Sequence, residues 1–467
     1  MPRCQKAGGA ASVSLYRPPA PYPKKPLPSM LRMIAEGDRN LLSLVPEVAY
    51  RAQVSELGWS RRGILLVNAP ELAGSILANT AGIFPKNDLM VGALEGLVGN
   101  SMFVSDGAAW RRQRQMIDPA FSAMRITRAF DSIAAGVDAY ERVLDGHADS
   151  GALFSLDAAM SHLTADIICR TIFSRSLAES PAREVFHDFA IFERSVANVE
   201  LGRLIFGKPF ARVVQPPVVQ AACARIRGHI GDFLAPRLAA GAEPIDDIVG
   251  AVIAARDAET GEPFSREELI DQIGVFFLAG HETTASVLTW VFFILSQQPA
   301  TVARMREEVA RVSGGGEITL EHTKKMVFVR NVFRETMRLY PPITFLPRVA
   351  AADTEIGGHK VRRGAMIMIA PWTIHRNAAL WRDADRFDPD RWSAEREGEV
   401  VPGAYMPFGL GPRICVGAAF ATIESTLILA RLVRRYDFSA LSPATVRPAS
   451  RLTTRPAREI AMRVAEV

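Results

Sequence analysis

The segment with the most specific chemistry is a glycine-rich loop that contains one cysteine. Residues 408–417 read FGLGPRICVG, and helix-forming residues follow from Ala418 to Leu432. Cys415 is therefore expected near a helix N-terminus, where the helix dipole and free N–H groups favour the thiolate, the form of cysteine that binds metals. Gly411 and Gly417 would let the backbone turn tightly against a flat ligand. The alternative is an inert buried thiol, the usual state of a lone cysteine.

A second polar group interrupts the apolar pattern of the longest predicted helix, residues 265–297. Residues 279–284 read AGHETT. Burying polar side chains is unfavourable unless they are hydrogen-bonded or hydrated, and Gly280 weakens a helix by roughly 1 kcal/mol relative to alanine. We therefore expect a locally loosened helix with a ligand close by. A threonine hydroxyl can also bond back to a carbonyl of its own helix, and we expect this of Thr284.

These two segments resemble those of the cytochrome P450 family, and the resemblance extends from about residue 40 to the end of the chain. The loop matches the pattern F-x-x-G-x-R-x-C-x-G, which implies haem b (iron protoporphyrin IX) with Cys415 as the thiolate ligand of the iron. Phe408 would shield the sulfur from water, and Gly417 would belong to the same haem-binding loop. The implied fold is mainly α with a small β region, a triangular helical body around the buried haem.

The resemblance also implies roles for the polar residues of the long helix. Ala279 and Gly280 would lie against the distal face of the haem. Thr283 would hydrogen-bond the cosubstrate O2, and Glu282 would help to relay protons for cleavage of the O–O bond. His281 is not expected to bind iron, because one coordination position must stay open for oxygen.

Several basic residues are expected to hold the haem propionates. Trp110 and Arg114 share one helix face by their i,i+4 spacing and resemble the family's propionate-binding helix. Arg348 and Arg413 are the other expected partners, since guanidinium groups pair well with carboxylates. The alternative for Arg114 is a plain basic helix face.

A pair of segments resembles the family's Glu-Arg-Arg triad. Residues 335–338 read ETMR and residues 387–392 read FDPDRW. An E-x-x-R pair alone usually marks a solvated helix face. Together with the later segment it implies a structural triad of Glu335, Arg338 and Arg391 that fixes the chain leading into the cysteine loop.

The elements that would position these residues are mostly helical. Apolar residues at helical spacing, capping residues and prolines predict a large helical body, while short apolar runs and a Gly-Gly turn predict a small sheet from both ends of the chain. The predicted helices include one that contains Trp110 and those over residues 124–149, 156–175, 216–240 and 265–297; the predicted strands are 63–67, a hairpin at 354–361, and 365–369. We expect a Pro-rich lead-in over residues 1–30 and a single haem domain over residues 31–467.

Composition excludes several classes of protein. The net charge of +5 comes without basic runs interleaved with aromatic residues, so a nucleic-acid partner is not expected. The four cysteines form no C-x-x-C pair, which argues against zinc and against a disulfide framework. The first thirty residues contain no long apolar run, so we expect no membrane anchor, a cytoplasmic location and a monomer.

The predicted function is that of a monooxygenase that inserts one atom of O2 into a hydrophobic small molecule, such as a fatty acid, terpenoid or steroid. The short stretch after Cys415 leaves no space for a flavin or iron–sulfur domain, so electrons are expected from a ferredoxin and an NAD(P)H-dependent ferredoxin reductase, with Arg111 or Arg112 as possible contacts. The alternatives are a peroxide-driven peroxygenase and a non-catalytic haem-binding sensor. The residues expected to line the substrate pocket are Leu97, Val98, Phe276, Ile343, Thr344 and Phe345.

Overall fold

The structure, a computed structural model, describes residues 15–21, 40–57, 60–178, 180–196, 207–210 and 213–467. Helices dominate the described residues and short strands form small sheets, as predicted. Of the predicted lead-in, only residues 15–21 are described. They form neither helix nor strand and are hydrogen-bonded to the body, where Phe387 N donates to Tyr16 O at 2.8 Å and Arg386 Nη1 to Leu15 O at 2.8 Å. The rest of that lead-in lies outside the described residues, so a domain boundary at residue 30 stays a prediction.

The helices of the described residues include every predicted helix, with ends within a few residues of those expected. They are α1 (Pro70–Ala78), α2 (Asp88–Val98), α3 (Gly107–Ile117), α4 (Ala123–Ser150), α5 (Leu156–Ile172), α6 (Ser180–Val196), α7 (Pro217–Leu238), α8 (Ile248–Ala254), α9 (Arg266–Leu295), α10 (Pro299–Ser313), α11 (Leu320–Lys325), α12 (Val327–Leu339), α13 (Pro371–Ile374) and α14 (Ala418–Arg435). Short 3-10 turns occur at Leu41–Leu44, Glu47–Tyr50, Asp118–Phe121, Pro389–Trp392, Glu397–Glu399, Gly411–Arg413 and Pro443–Thr445.

The strands form two small sheets and two hairpins. They are β1 (Val54–Glu56), β2 (Ile64–Val67), β3 (Phe154–Ser155), β4 (Leu346–Val349), β5 (Thr354–Ile356), β6 (His359–Val361), β7 (Met366–Ile369), β8 (Tyr436–Ala440), β9 (Pro448–Ser450), β10 (Thr454–Pro456) and β11 (Ala461–Glu466). One sheet has the order β1-β2-β7-β4 and the other β3-β11-β8, while β5 pairs with β6 and β9 with β10.

The four-stranded sheet joins the two ends of the chain. Strands β2 and β7 are parallel, with Ile64 opposite Met366 and Val67 opposite Ile369, and the other pairs in this sheet are antiparallel. The predicted Gly-Gly turn between β5 and β6 is present, and both glycines have positive φ angles, as a tight hairpin turn requires. The prediction of a small sheet built from both ends is therefore confirmed.

Helix α9 runs through the core. Ser265 and Glu268 form a capping box at its N-terminus, and the next helix, α10, begins at Pro299. Contrary to our expectation, α9 continues through Gly280 without interruption. A Cβ atom at Gly280 would lie 2.4 Å from Ile168 Cδ1 of α5, so close packing of the two helices accounts for the glycine.

Among the described residues, only α9 is long and apolar enough to cross a membrane, and 83% of its most apolar window is buried inside the protein.

Candidate active site

The loop that contains Cys415 is held by its own backbone. Cys415 N donates to Phe408 O at 2.9 Å, which closes the loop before α14 begins one residue after Gly417. Gly411 has φ +72°, and a Cβ atom there would lie 3.3 Å from backbone atoms of Ala78 in α1. Gly417 has φ −86°, a conformation open to any residue. The tight turn expected at Gly411 is therefore present, while the approach of either glycine to a flat ligand stays a prediction.

The Cys415 side chain is exposed rather than packed in the core. It is accessible to solvent, yet protein surrounds it densely enough for burial to raise the pKa of the thiol, against the opposing effects of the Gly417 N–H and the Arg114 charge. Arg114 lies beside the loop, where its Nη1 donates to Ile414 O at 2.7 Å and its Nε pairs with Asp118 at 2.6 Å. Its contact with a haem propionate stays a prediction.

Beyond its first turn, α9 has solvent-accessible residues only in the motif predicted to carry oxygen chemistry. From residue 269 to residue 295, every residue is buried except Ala279, Gly280 and Thr283. Thr283 Oγ1 donates to Ala279 O at 2.6 Å. We expected this back-bond of Thr284, but the Thr284 hydroxyl instead lies beside the buried carboxyl group of Glu424 in α14. Burial raises the pKa of Glu424 to about 8.

Glu282 is buried on α9 and paired with a cation. Arg455 of β10 donates from Nε to Glu282 Oε1 at 3.0 Å and from Nη2 to Oε2, and the Thr453 hydroxyl also donates to Oε1. Burial alone would raise the pKa of Glu282, but the charge and hydrogen bonds of Arg455 hold it below its usual range. The neighbouring His281 packs against aromatic rings of α6 and α9, which accounts for its burial without an iron.

Three cationic side chains, those of Arg413, Arg348 and Lys86, lie together near Trp110 and β4. Arg413 lies over the Trp110 ring at 4.4 Å and contacts Asp106, while its Nη1 is buried with no hydrogen-bond partner among the described residues. Burial and the charge of Arg413 lower the pKa of Arg348 to about 10. Lys86 lies here too, partly exposed overall but with its ammonium group enclosed by protein; desolvation, then Arg348 and Arg413, lower its pKa well below the usual value.

These features fit the haem that the sequence predicts. In the described part of the chain, Asp106 supplies the only negative charge that acts on Lys86, Arg348 or Arg413. Buried cations in excess are unfavourable unless anions neutralise them, and the two propionates of haem b would do so. Lys86 is a member of this cluster that our sequence reasoning missed, because a single lysine in a loop carries no local pattern.

The predicted triad is assembled, with one weak member. Glu335 accepts from Arg338 Nε at 2.9 Å and Nη2 at 2.7 Å, from Asp388 N at 3.0 Å and from Trp392 Nε1 at 3.0 Å. Arg391 Nε lies 3.5 Å from Glu335 but makes no hydrogen bond within the described residues, so its contact is electrostatic only.

Arg338 connects this triad to the segment before the cysteine loop. Its Nη1 donates to the carbonyl oxygens of His375 and Ala384, each at 2.7 Å, and its Nη2 donates to Arg386 O at 2.8 Å. His375 Nε2 in turn accepts from Met406 N at 3.0 Å, two residues before Phe408. The charge pair thus fixes the backbone that leads to the loop.

Four of the six residues expected to line the substrate pocket are buried in two apolar clusters. Leu97 and Val98 end α2 and are buried in the main core with Phe276, whose ring meets Phe121 edge-on at 5.2 Å. Phe345 belongs to a smaller apolar cluster that also contacts Leu89. The remaining two pocket residues are Ile343, which is partly exposed, and Thr344, whose hydroxyl pairs with that of Ser450. Their contact with substrate stays a prediction.

Comparisons with known proteins agree with this arrangement. The family model described as cytochrome P450 matches residues 21–461. Cyclooctatin synthase of Streptomyces melanosporofaciens is 30% identical over 94% of this chain and 91% of its own length. Cyclooctat-9-en-7-ol 5-monooxygenase of the same organism is 31% identical over 91% of this chain and 87% of its own. Pentalenene oxygenase of Streptomyces avermitilis is 26% identical over 94% and 93%.

Solved structures share the fold. The haem domain of cytochrome P450DA superposes with a TM-score of 0.80 at 24% identity, covering 97% of this chain and 98% of that one. The cytochrome P450 CYP102L1 gives a TM-score of 0.79 at 23% identity, covering 97% and 100%. With the cysteine loop, the α9 motif and the triad in place, the chain belongs to the cytochrome P450 family of monooxygenases.

Proposed function

We propose that this monooxygenase inserts one atom of O2 into a hydrophobic small molecule, with Cys415 as the ligand of a haem b iron. One observation carries the proposal: Cys415 is exposed at the cysteine loop, and Ala279, Gly280 and Thr283 are the residues of α9 between 269 and 295 that are not buried. When bound, the haem supplies the oxygen-activating chemistry that amino-acid side chains lack.

Within that site, Thr283 and Glu282 have distinct roles in handling protons. The Thr283 hydroxyl donates a hydrogen bond to Ala279 O, so the lone pairs of its oxygen remain free to accept a hydrogen bond from a ligand beside this part of α9. Glu282, the preceding residue, holds its carboxylate in a fixed pairing with Arg455. We propose that Glu282 carries protons from the solvent side and that Thr283 positions the last hydrogen bond toward oxygen.

Glu282→Gln and Thr283→Ala should each separate electron use from product formation. General acid–base groups contribute typically 10²–10⁴-fold, so we expect product formation per NAD(P)H consumed to fall by about a hundredfold or more for Glu282→Gln. Electrons should instead appear as hydrogen peroxide. Product and peroxide are measured together, with Thr445→Ala, on an exposed surface turn, as the control. Wild-type coupling in both variants would contradict the proposed relay.

Lys86 gives a test of the haem-binding cluster with two opposite effects. Lys86→Met removes a buried cation that the haem-free protein compensates only through Asp106, so the haem-free variant should unfold at higher temperature. The haem-bound variant should lose haem faster, by roughly tenfold, because a charge-assisted hydrogen bond is worth about 1.5–3 kcal/mol. Haem transfer to an acceptor protein measures the rate. Lys360→Met, on the exposed hairpin, should change neither property.

Among fatty acid, terpenoid and steroid substrates, we propose a terpenoid. Two relatives are named for cyclooctat-9-en-7-ol and pentalenene, an alkenol and an alkene by their suffixes, and neither name contains the carboxylic acid of a fatty acid. The expected pocket residues are mostly apolar, which suits such a ligand. Screening terpenoids, fatty acids and steroids for a shift in haem spin state tests the class.

We further propose that a separate ferredoxin and an NAD(P)H-dependent ferredoxin reductase supply the electrons. Arg112 is already engaged by Asp257 at 2.9 Å and Glu268 at 2.6 Å, whereas Arg111 is exposed, so Arg111 is the better contact for an acidic donor. NAD(P)H-dependent turnover with added ferredoxin and reductase supports this proposal, whereas turnover with peroxide alone favours a peroxygenase. Haem spectra without any turnover favour a sensor. A cytoplasmic monomer remains part of the proposal.

A further inference from the structure

Glu282 belongs to a buried cluster of charged groups that four elements bring together. Besides its bonds from Arg455, the cluster contains Asp157 in the first turn of α5, which accepts from Arg455 Nη1 at 2.8 Å. Glu193 lies one turn after Phe189 of α6, whose ring is 4.5 Å from that of His281, the residue before Glu282. The Glu193 carboxyl group interacts electrostatically with Glu282, Arg455 and Asp157. One guanidinium therefore faces three carboxyl groups.

With all three carboxyl groups ionised the cluster would carry a net charge of −2, one guanidinium against three carboxylates, so a proton on one carboxyl group is favoured because it halves that charge. Arg455 is held firmly in its charged form by its buried carboxylate partners. Burial and the Glu282 carboxylate raise the pKa of Glu193 to about 8, while Arg455 keeps Glu282 ionised. The other polar neighbours are His281, Thr453 and Asp157, and none of them is a second cation at neutral pH, since burial lowers the pKa of His281. The proton of the cluster consequently belongs to Glu193.

We propose that Glu193 is the residue that supplies protons to Glu282 during turnover. Glu193 is partly exposed, whereas Glu282 is 2% exposed, so Glu193 stands between solvent and the buried acid. The step moves one proton: the Glu193 carboxyl group gives it to the Glu282 carboxylate, Glu193 becomes a carboxylate, and water then reprotonates Glu193. No electrons move in this step, and Arg455 keeps its charge throughout. This inference rests on the role proposed for Glu282.

The second carboxyl neighbour offers no equivalent route. Asp157 contacts the cluster through Arg455, and a guanidinium does not release its proton in proteins. His281 Nδ1 is bonded to Phe277 O at 2.8 Å. Glu193 is therefore the titratable side chain of the cluster that interacts with Glu282 and has access to water.

The first test measures the melting temperature of the haem-bound protein as a function of pH and requires no catalytic turnover. The folded state raises the pKa of Glu193 from 4.5 to about 8, so wild type binds an extra proton when folded between these values. Its stability should then fall as pH rises through that window, because ionised Glu193 is disfavoured only in the folded state. Glu193→Gln lacks this titration, so its melting temperature relative to wild type should rise from about pH 5 to about pH 9. Glu71→Gln, at an exposed carboxyl group of α1, is the control for loss of a carboxyl group.

A second test measures coupling and its pH profile. Glu193→Gln should lower product formed per NAD(P)H consumed by roughly tenfold or more, with little change in KM. This loss should be smaller than that caused by Glu282→Gln. Glu193→Asp, which keeps a carboxyl group, should recover part of the loss. If Glu193→Gln matches wild type in coupling while Glu282→Gln is defective, the inference is overturned and the proposed relay stands. If Glu282→Gln also matches wild type, both fail.

Discussion

Cys415→Ser should abolish monooxygenase turnover and remove the strongly red-shifted Soret band of the reduced carbon monoxide complex. A serine hydroxyl stays protonated near neutral pH and does not replace the electron donation of a thiolate to iron. The loop itself should persist, because its closing bond from the residue 415 N–H to Phe408 O uses backbone atoms only. Optical spectra of the purified variant and product formation with a complete electron-transfer system measure the two effects.

The matched control for this change is Cys223→Ser. Cys223 is buried in α7, and burial raises the pKa of its thiol to about 11, so it should remain an inert thiol. This control replaces the same atom at a site remote from the loop and should leave the haem spectrum unchanged. Unchanged optical bands and turnover in Cys415→Ser would overturn the assignment of the metal ligand.

Glu335→Ala should yield protein that is poorly loaded with haem rather than a loaded enzyme with a slow step. The side chains of Glu335 and Arg338 are both 0% exposed, and the variant leaves the Arg338 charge without its carboxylate. Removing one member of a buried ion pair costs about 3–5 kcal/mol. The haem-to-protein ratio and the denaturant midpoint of the purified variant provide the measurements.

Two further variants separate charge from hydrogen bonding at this position. Glu335→Gln keeps one of the two oxygens that accept from Trp392 Nε1 and the Asp388 N–H and does not neutralise Arg338, so its haem loading should lie between that of wild type and Glu335→Ala. Glu399→Ala, at a surface carboxylate, should behave as wild type. Full haem loading in Glu335→Ala would show that the triad does not fix the cysteine loop.

Local patterns made much of this molecule predictable from its sequence. The spacing of apolar residues and a serine–glutamate cap are properties of neighbouring residues, and they located α9 within two residues at each end. The cysteine loop and the triad were recognised because their residues are close in sequence. Strands β2 and β7 were each predicted, but their pairing and its parallel register of Ile64 with Met366 could not be read from either segment.

The parts that escaped prediction depend on residues far apart in the chain. Arg455 lies far from Glu282 in sequence, and nothing near either residue predicts the pairing. Glu193 and Lys86 gain their unusual pKa values only from burial beside other charges. Gly280 was interpreted as a weak point of the helix, because the Ile168 side chain that requires a glycine there belongs to another helix.

The parallel pairing of β2 with β7 has a consequence for how the chain emerges from the ribosome. Strand β2, the apolar sequence ILLV, can pair with β1 at once, but its other edge has no partner until residues 366–369 are synthesised. At about 5–20 residues per second, this edge waits unpaired for roughly 15–60 seconds. Exposed apolar strand edges recruit other chains. Heterologous production should therefore depend on chaperone capacity and improve at lower growth temperature.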